Sequence, residues 1–446
     1  MSNDAEATLL ERDAAHVIHP LHSRAVHAKG KVWVGGEGAY LVDANGERFI
    51  DGLSGLWNNT AGNGRRELIE AGSRQLEELA FASGYAGSSN PRAIELGEKI
   101  ARLTYPNINQ FYFTSGGGEA TDSNIKMARY YWKLKGQPTK TKVISRILGY
   151  HGVTFAAMCA TGLDVYWPMF EPLIPGFSHI PSPYPYFYQA PEGSESQGIA
   201  AADELEKAIL AEGADTVAMF IAEPVQGAGG VIVPQDDYFP RIREICDKYE
   251  VLLVSDEVIT GFGRTGKWFA MEHWGIEADI MSTAKAITGG YAPLGASTVT
   301  QKIADVLPIF SHLQTYQGHP AACAAGLATI EYIEQNDLIR QGSENGAYLL
   351  EQMQRLRDLP IVGDVRGLGM WTCVDFTSDK KTKAPFKDGT IKRIVHRCRD
   401  MGVLIGEEGT AVEMSPPYIA SRDELDTCVD TLEKAIIAEA KHLGIK

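Results

Sequence analysis

Three features of this chain could carry chemistry together: a lysine, an aspartate and a glycine-rich turn. Lys285 has small and apolar neighbours. A lysine partly removed from water loses its proton more easily, which is what imine formation requires. Asp256 follows an apolar run, where a carboxylate can hydrogen-bond a protonated heterocyclic nitrogen and keep it cationic. In the stretch Thr114–Thr121, successive glycine amides at a helix N-terminus could bind an anion.

Each of these features also has an ordinary structural interpretation. A lysine is usually a solvated surface charge, an aspartate usually a cap or a salt-bridge partner, and a glycine turn often only a turn. The combination of Lys285, Asp256 and the glycine turn favours a functional site over three separate structural roles.

A second glycine stretch, Gly261–Gly266, matches GxGxxG and, with Lys267, nearly matches a phosphate-binding loop. Trp268 occupies the position where such a loop needs a hydroxyl for Mg²⁺. A nucleotide-binding protein that uses this stretch is therefore a weak alternative.

Alternating helical segments and short apolar runs predict an α/β domain around a largely parallel sheet. Ser115–Gly118, Glu223, Asp256 and Lys285 each follow a predicted strand. Ligands bind beyond the carboxyl ends of the strands in such sheets, so these groups could share one crevice. The predicted strands are Gln110–Thr114, Lys142–Ser145, Val217–Ala222, Val251–Ser255, Asp279–Ser282 and Ala296–Val299.

The flanking regions differ in pattern from this central part. Residues 1–65 predict a helix-poor layer with strands at Lys31–Trp33 and Tyr40–Val42 and a hairpin turn at Asp43–Gly46. Residues 331–446 predict an α+β cap, with strands at Met370–Phe376 and Val403–Ile405. We therefore expect a large domain at 66–330 and a smaller α+β domain built from both termini. The segment Pro175–Gly193 predicts a long loop.

Composition excludes several classes of function. The chain has 446 residues, with 42 basic against 57 acidic side chains and a net charge of −15. The Lys and Arg residues form no block, so nucleic acid is disfavoured as a partner. Apolar runs are too short to span a bilayer, the N-terminus is too acidic for a signal peptide, and the six scattered cysteines form no zinc motif. We expect a soluble cytoplasmic protein without a metal.

With these motifs the chain resembles the class III (omega) aminotransferases, which are pyridoxal-phosphate (PLP) enzymes of fold type I. The resemblance covers nearly the whole length and follows the order of the family's motifs. These are Gly52–Trp57, Ser115–Ala120, Tyr150–Gly152, Ala222–Gly227, Asp256–Val258, Gly261–Gly266, Lys285, Thr315–Pro320 and Ser415–Pro417.

The resemblance implies a role for each cofactor-binding position. Lys285 would hold PLP as an internal aldimine and shuttle the substrate's Cα proton, and Asp256 would pair with the pyridinium nitrogen. Further implied cofactor contacts are Tyr150 and Val258 on the two faces of the ring, Glu223 in the surrounding hydrogen bonds, and the amides of Gly117 and Gly118 on the phosphate.

The resemblance also implies an obligate homodimer, in which Thr315 reaches the phosphate of the neighbouring subunit. Trp57, Tyr85 and Tyr150 match the aromatic walls that select the amine, as in the amine:pyruvate branch. The partners expected from this resemblance are a small-molecule amine donor and a keto acid acceptor.

Two departures from the family pattern bear on function. Gly116 and Gly118 stand where the family usually has serine, so backbone amides and Ser115 must hold the phosphate. Amine:pyruvate members carry a carboxylate-binding arginine about ten residues before the Pro-Pro pair, and this chain has Gly406 there. The acceptor carboxylate must then use another donor, or the acceptor is not pyruvate-like. Glu407 and Glu408 would suit a cationic substrate if they face the pocket.

The sequence therefore predicts a dimeric transaminase that moves an amino group from a primary amine or omega-amino compound to a small keto acid. Pyruvate is the expected acceptor, and the expected route is ping-pong. A PLP-dependent racemase or decarboxylase of the same fold is the alternative.

Overall fold

The computed structural model of the protein describes residues 4–387 and 389–445. Its centre is a seven-stranded sheet in which one strand runs antiparallel to both neighbours and the others are parallel. The antiparallel strand is β10 (Gly295–Thr300). Across the sheet the strands follow the order β4 (Ile108–Thr114), β10, β9 (Ile280–Thr283), β8 (Leu252–Asp256), β7 (Val217–Ala222), β5 (Lys142–Arg146) and β6 (Phe177–Ile180).

All six strands predicted for this sheet are present, with ends that differ by at most two residues. The prediction of a loop over Pro175–Gly193 was wrong at β6, which pairs with β5 at the sheet edge. A four-residue strand among prolines and tyrosines is too short to show a period of two, so no pattern in this segment indicates a strand.

The central sheet is buried on both faces at β7, which explains why this strand is a continuous apolar run. In β7, Phe220 and Ala222 belong to one core cluster, and Met219 and Ile221 belong to the cluster on the opposite face. Helices cover the two faces. The helices are α1 (Asp4–His16), α2 (Arg24–His27), α3 (Ser54–Trp57), α4 (Arg66–Glu78), α5 (Pro91–Ala101), α6 (Gly117–Leu134), α7 (Phe155–Ala160), α8 (Gln197–Glu212), α9 (Tyr238–Lys248), α10 (Gln301–Ala304), α11 (Pro320–Gln335), α12 (Leu338–Gln354), α13 (Thr390–Asp400) and α14 (Arg422–His442).

Two smaller four-stranded sheets lie outside this core. The first has the order β1 (Trp33–Glu37), β2 (Tyr40–Asp43), β3 (Arg48–Asp51) and β13 (Val403–Leu404), so it joins both ends of the chain. The second has the order β11 (Val362–Gly367), β12 (Thr372–Phe376), β15 (Ala411–Met414) and β14 (Gly406–Glu408). This arrangement confirms the α/β fold class with a smaller α+β part built from both termini.

Some predictions for the flanking regions were wrong. The N-terminal layer was expected to be helix-poor, but α1 spans 13 residues; its charged sequence carries little apolar periodicity, which is why the pattern missed it. The first strand lies at Trp33–Glu37 rather than Lys31–Trp33. The expected turn at Asp43–Gly46 connects β2 to β3, with Gly46 at φ +83°.

Two further observations concern the chain as a whole. All six cysteines are buried with free thiols. Within residues 4–387 and 389–445, every helix is too short or too polar to cross a bilayer.

Candidate active site

The carboxyl ends of five strands of the central sheet meet at one cavity of about 720 Å³. Because β4, β5, β7, β8 and β9 point the same way, the residues that follow them converge at one edge of the sheet. Seven of the predicted site residues line this cavity. They are Gly117, Gly118, Tyr150, Glu223, Asp256, Val258 and Lys285.

Lys285 enters the cavity from a single 3₁₀ turn (Lys285–Ile287) two residues beyond β9. Its φ of +43° lies in the left-handed region, which is rare for a lysine and is often found where function fixes the backbone. Burial lowers the pKa of the Lys285 amine, while the nearby carboxylates of Asp256, Glu223 and Glu413 oppose that shift. The side chain is half-buried, and its Nζ lies 5.3 Å from the ring centroid of Trp57.

Asp256 is the last residue of β8 and only 3% exposed. Its Oδ2 lies 2.7 Å from Nδ1 of His151, and its Oδ1 accepts a 3.2 Å hydrogen bond from the amide of Val258. An ionised carboxylate can only accept, so in that state His151 donates through Nδ1. His151, also 3% exposed, is a functional candidate that sequence reasoning treated only as part of an aromatic motif. Its adjacency to Tyr150 was the available signal.

The predicted glycine turn opens α6, whose N-cap is Gly116. The first amides of a helix have no intrahelical acceptor, so those of Gly117 and Gly118 are free to bind an anion in the cavity. The site admits no side chain at Gly117, because a Cβ there would lie 2.9 Å from both methyl carbons of Val258. Glycine at 117 thus lets the helix start approach the position where a flat ring would lie against Val258.

Glu223 directly follows β7 and is 3% exposed. One of its carboxylate oxygens accepts from the amide of Tyr150 and the other from the amide of Gly227, each at 2.9 Å. Burial raises the pKa of Glu223. The carboxylate therefore fixes the loop that carries Tyr150, whose hydroxyl has a pKa raised to about 12, mainly by burial.

The remaining predicted residues lie differently. Trp57, at the end of α3, contacts Lys285 through its ring and is 6% exposed. Tyr85 is 78% exposed, and neither it nor the exposed Thr315 lines the cavity of its own chain.

The second glycine stretch does not form a phosphate-binding loop. Residues 261–265 are buried, and the Arg264 guanidinium is enclosed among the carbonyls of Met370, Ser415 and Pro416. A Cβ at Gly263 would lie 2.9 Å from the side chain of Ile339. This stretch holds the two parts of the structure together instead of lining a cavity.

A family model described as aminotransferase class-III matches residues 24–436. The chain is a class-III aminotransferase. The family assignment confirms the resemblance seen in the motifs. This class-III aminotransferase transfers an amino group to a keto acid and uses PLP as its cofactor.

Curated relatives of this class-III aminotransferase are similar over most of their length. A putrescine–pyruvate aminotransferase of Pseudomonas aeruginosa is 39% identical over 90% of this chain and 91% of its own. A diaminobutyrate–2-oxoglutarate transaminase of Halomonas elongata is 38% identical over 96% of this chain and 95% of its own.

Solved structures of similar enzymes superpose closely. An (S)-enantioselective omega-transaminase from Thermomicrobium roseum has a TM-score of 0.94 and 42% identity over 97% of this chain and 98% of its own. The omega-transaminase of Pseudomonas jessenii in complex with PMP has a TM-score of 0.94 and 35% identity, covering 98% of this chain and 99% of its own. The predicted fold type I is thereby confirmed.

The residues of this class-III aminotransferase fit PLP. The cavity is large enough for the ring and phosphate, with the free helix amides of α6 at one side and the buried Asp256–His151 pair at another. The glycine at 117 leaves the space that a ring and its phosphate arm require. An anion at a helix N-terminus is also electrostatically favoured.

Proposed function

We propose that this aminotransferase moves an amino group from a primary amine or omega-amino compound to pyruvate by a ping-pong route. The observation that carries the proposal is Lys285, an amine with a lowered pKa that lines the same cavity as the buried Asp256. Relatives named for putrescine and diaminobutyrate support donors whose amino group lies away from a carboxylate.

The proposed roles follow from the surroundings of each residue. Lys285 binds the cofactor covalently through Nζ and later moves the proton at the substrate's Cα, since burial favours its neutral, proton-accepting form. Asp256 holds the protonated ring nitrogen and is itself held by His151. PLP, when bound, supplies the electron sink that makes the Cα proton acidic.

Further proposed contacts complete the cofactor site. The amides of Gly117 and Gly118 hold the phosphate, and Val258 and Tyr150 lie against the two faces of the ring. Glu223 keeps Tyr150 in place through its backbone amide. Trp57 and Tyr150 form the walls that select the amine, with Tyr85 contributed from a second chain.

The cavity has few positive charges that could bind the carboxylate of the keto acid acceptor. Among the described residues that line the cavity, Lys285 is the only lysine or arginine, and its amine is taken up by the cofactor. A Cβ at Gly406 would lie 2.8 Å from Cγ and Oε1 of Glu413, so the chain has no room for a side chain there. We propose that a neutral donor that lines the cavity, such as the side-chain amide of Asn58, binds the pyruvate carboxylate.

A homodimer completes the proposed site. Ile69 and Leu76 of α4 and Tyr316 are all 48–61% exposed, and they line a second cavity of about 580 Å³ that shares Ser115 with the first. Apolar surface of this kind marks a protein interface. Thr315 adjoins Tyr316, so pairing two chains would bring it to the neighbour's phosphate. The location in the cytoplasm stays a prediction.

A donor and acceptor panel tests the activity. Purified protein with PLP should convert putrescine and pyruvate to alanine and an aldehyde product, while Lys285→Ala should be inactive. With a chiral amino acid as donor, loss of CO₂ or inversion of the amine-bearing carbon without any alanine formed from pyruvate would instead support a decarboxylase or racemase. Equal activity with 2-oxoglutarate would contradict the choice of pyruvate.

Mixed dimers test the role of Thr315. Lys285→Ala and Thr315→Ala proteins, each nearly inactive, should recover about a quarter of wild-type activity after refolding together. Half of randomly formed dimers are then mixed, and each mixed dimer has one intact site. If Thr315 acted within its own chain, mixing would restore no activity.

A further inference from the structure

Glu413 on β15 is a fully buried carboxylate that binds two tryptophans at once. Its Oε1 accepts from Nε1 of Trp57 at 2.8 Å, and its Oε2 accepts from Nε1 of Trp371 at 2.9 Å. Hydrogen bonds to an ionised acceptor are roughly twice as strong as neutral ones. Each indole is therefore fixed in direction by one oxygen of the same carboxylate.

Trp57 depends on its contact with Glu413 because its own backbone has an unfavourable conformation. Its φ is +60°, and the preceding Gly55 and Leu56 also leave helical geometry. A bulky residue at positive φ persists only where tertiary contacts outweigh the strain. The amine of Lys285 lies over the Trp57 ring, 5.3 Å from its centroid.

Gly406 leaves the space that the Glu413 side chain occupies. The two residues are paired across β14 and β15, and any Cβ at 406 would meet the Glu413 carboxylate at 2.8 Å. The amine:pyruvate pattern has an arginine at the position of Gly406. In this chain the Glu413 side chain passes beside Gly406 and binds Trp57.

We propose that Glu413 is a positioning residue that fixes the Trp57 ring over Lys285, and that it thereby sets the size of amine the site accepts and the protonation of the Lys285 nitrogen. The size-selecting part rests on the proposed function, whereas the protonation part does not. In this proposal the size of the accepted amine depends on Glu413, which holds Trp57 in place, as well as on Trp57 itself.

The charges around Lys285 agree with this role. The carboxylates of Asp256, Glu223 and Glu413 all raise the pKa of its amine against the effect of burial. Burial raises the pKa of Glu413 to about 7, and the two indole N–H groups together with Arg264 oppose that rise, whereas Glu408 faces it as a like charge. In its ionised form, Glu413 faces Lys285 as a negative charge.

A pH titration of the PLP-loaded protein without substrate tests the electrostatic part. The Glu413→Gln variant loses the charge, and the midpoint of the cofactor's visible absorbance change should fall by about one pH unit, as expected for removing a charge within about 10 Å in a partly buried site. Trp371→Phe, which keeps the bond between Trp57 and Glu413, should move the midpoint less.

Relative kcat/KM values for benzylamine and ethylamine, with pyruvate as acceptor, test the positioning part. In Glu413→Gln the ratio should change by about tenfold, the effect of losing one hydrogen bond to a charged group. Trp57→Phe, which lacks the N–H, should give a similar change, and the double variant should add little to it. Additive effects would mean that Glu413 acts independently of Trp57 and would overturn the proposal.

The Glu413→Gln variant can also refute the proposed role of Glu413. An unchanged midpoint and an unchanged size ratio in Glu413→Gln would refute the proposal. If that variant does not fold, the size ratios of Trp57→Phe and Trp371→Phe carry the test, because only Trp57→Phe removes the bond between Trp57 and Glu413. Equal effects of the two variants on this ratio would refute the proposal. If the wild type uses none of the proposed donors, the proposed function fails, while the titration still tests Glu413.

Discussion

Replacing His151 by phenylalanine should weaken cofactor binding, because it removes the donor to the buried Asp256 carboxylate. The 2.7 Å bond between Nδ1 and Oδ2 lies between two side chains that are each 3% exposed, so water cannot take its place. A hydrogen bond to a charged group contributes about 1.5–3 kcal/mol, and its loss removes the side-chain donor that orients this carboxylate toward the ring nitrogen. Affinity for PLP should therefore fall about 10- to 100-fold.

Titration of the apoprotein with PLP, followed by absorbance, measures this affinity directly. His151→Asn is the conservative variant, since its amide N–H can take the place of Nδ1–H, and it should keep most of the affinity. His273→Phe is the control, because His273 hydrogen-bonds Thr265 outside the cavity. Wild-type affinity in His151→Phe, or equal losses in the phenylalanine and asparagine variants, would refute the reasoning.

Further predictions concern glycines and a carboxylate around the same site. Gly117→Ala should reduce PLP affinity by about tenfold, because its Cβ would meet Val258, whereas Gly116→Ala, whose Cβ meets nothing within 4 Å, should bind PLP normally. Gly406→Arg should lower stability in thermal unfolding by about 2 kcal/mol, and adding Glu413→Ile should restore much of it; full stability of the single variant would contradict this packing. Since folding raises the pKa of Glu413 from 4.5 to about 7, its contribution to stability is present below pH 4.5 and is lost as the pH rises through 7. Glu413→Gln should flatten the curve of unfolding free energy in that window by on the order of 1–3 kcal/mol, and an unchanged slope would argue against a buried titrating group.

The parts predicted correctly from sequence are those with a local signal. Strands β7 and β8 are mainly apolar runs. A polar group or glycine turn marks the carboxyl ends of β4, β7, β8 and β9, which placed Asp256 and Lys285 at one edge of the sheet. The edge strand β6 gave no such signal because it is short and lies among prolines. The helix α1 was missed because its charged sequence shows little apolar periodicity.

Long-range contacts explain what the sequence could not show. The bond between His151 and Asp256 joins residues 105 positions apart, and the bond between Trp57 and Glu413 joins residues 356 positions apart. Neither pair has a spacing rule, because each depends on how strands from distant parts of the chain meet. The absence of arginine at 406 was visible in sequence, but the acid that fills its space was not.

Reduction of the PLP-loaded protein with borohydride, followed by peptide mapping, tests the central claim most directly. Reduction converts the bond between a lysine and the cofactor into a stable link, so the label marks the lysine that holds PLP. We expect a phosphopyridoxyl group on the peptide that contains Lys285, and none on that peptide in Lys285→Ala. A label on another lysine, or no label on a protein that transaminates, would contradict it.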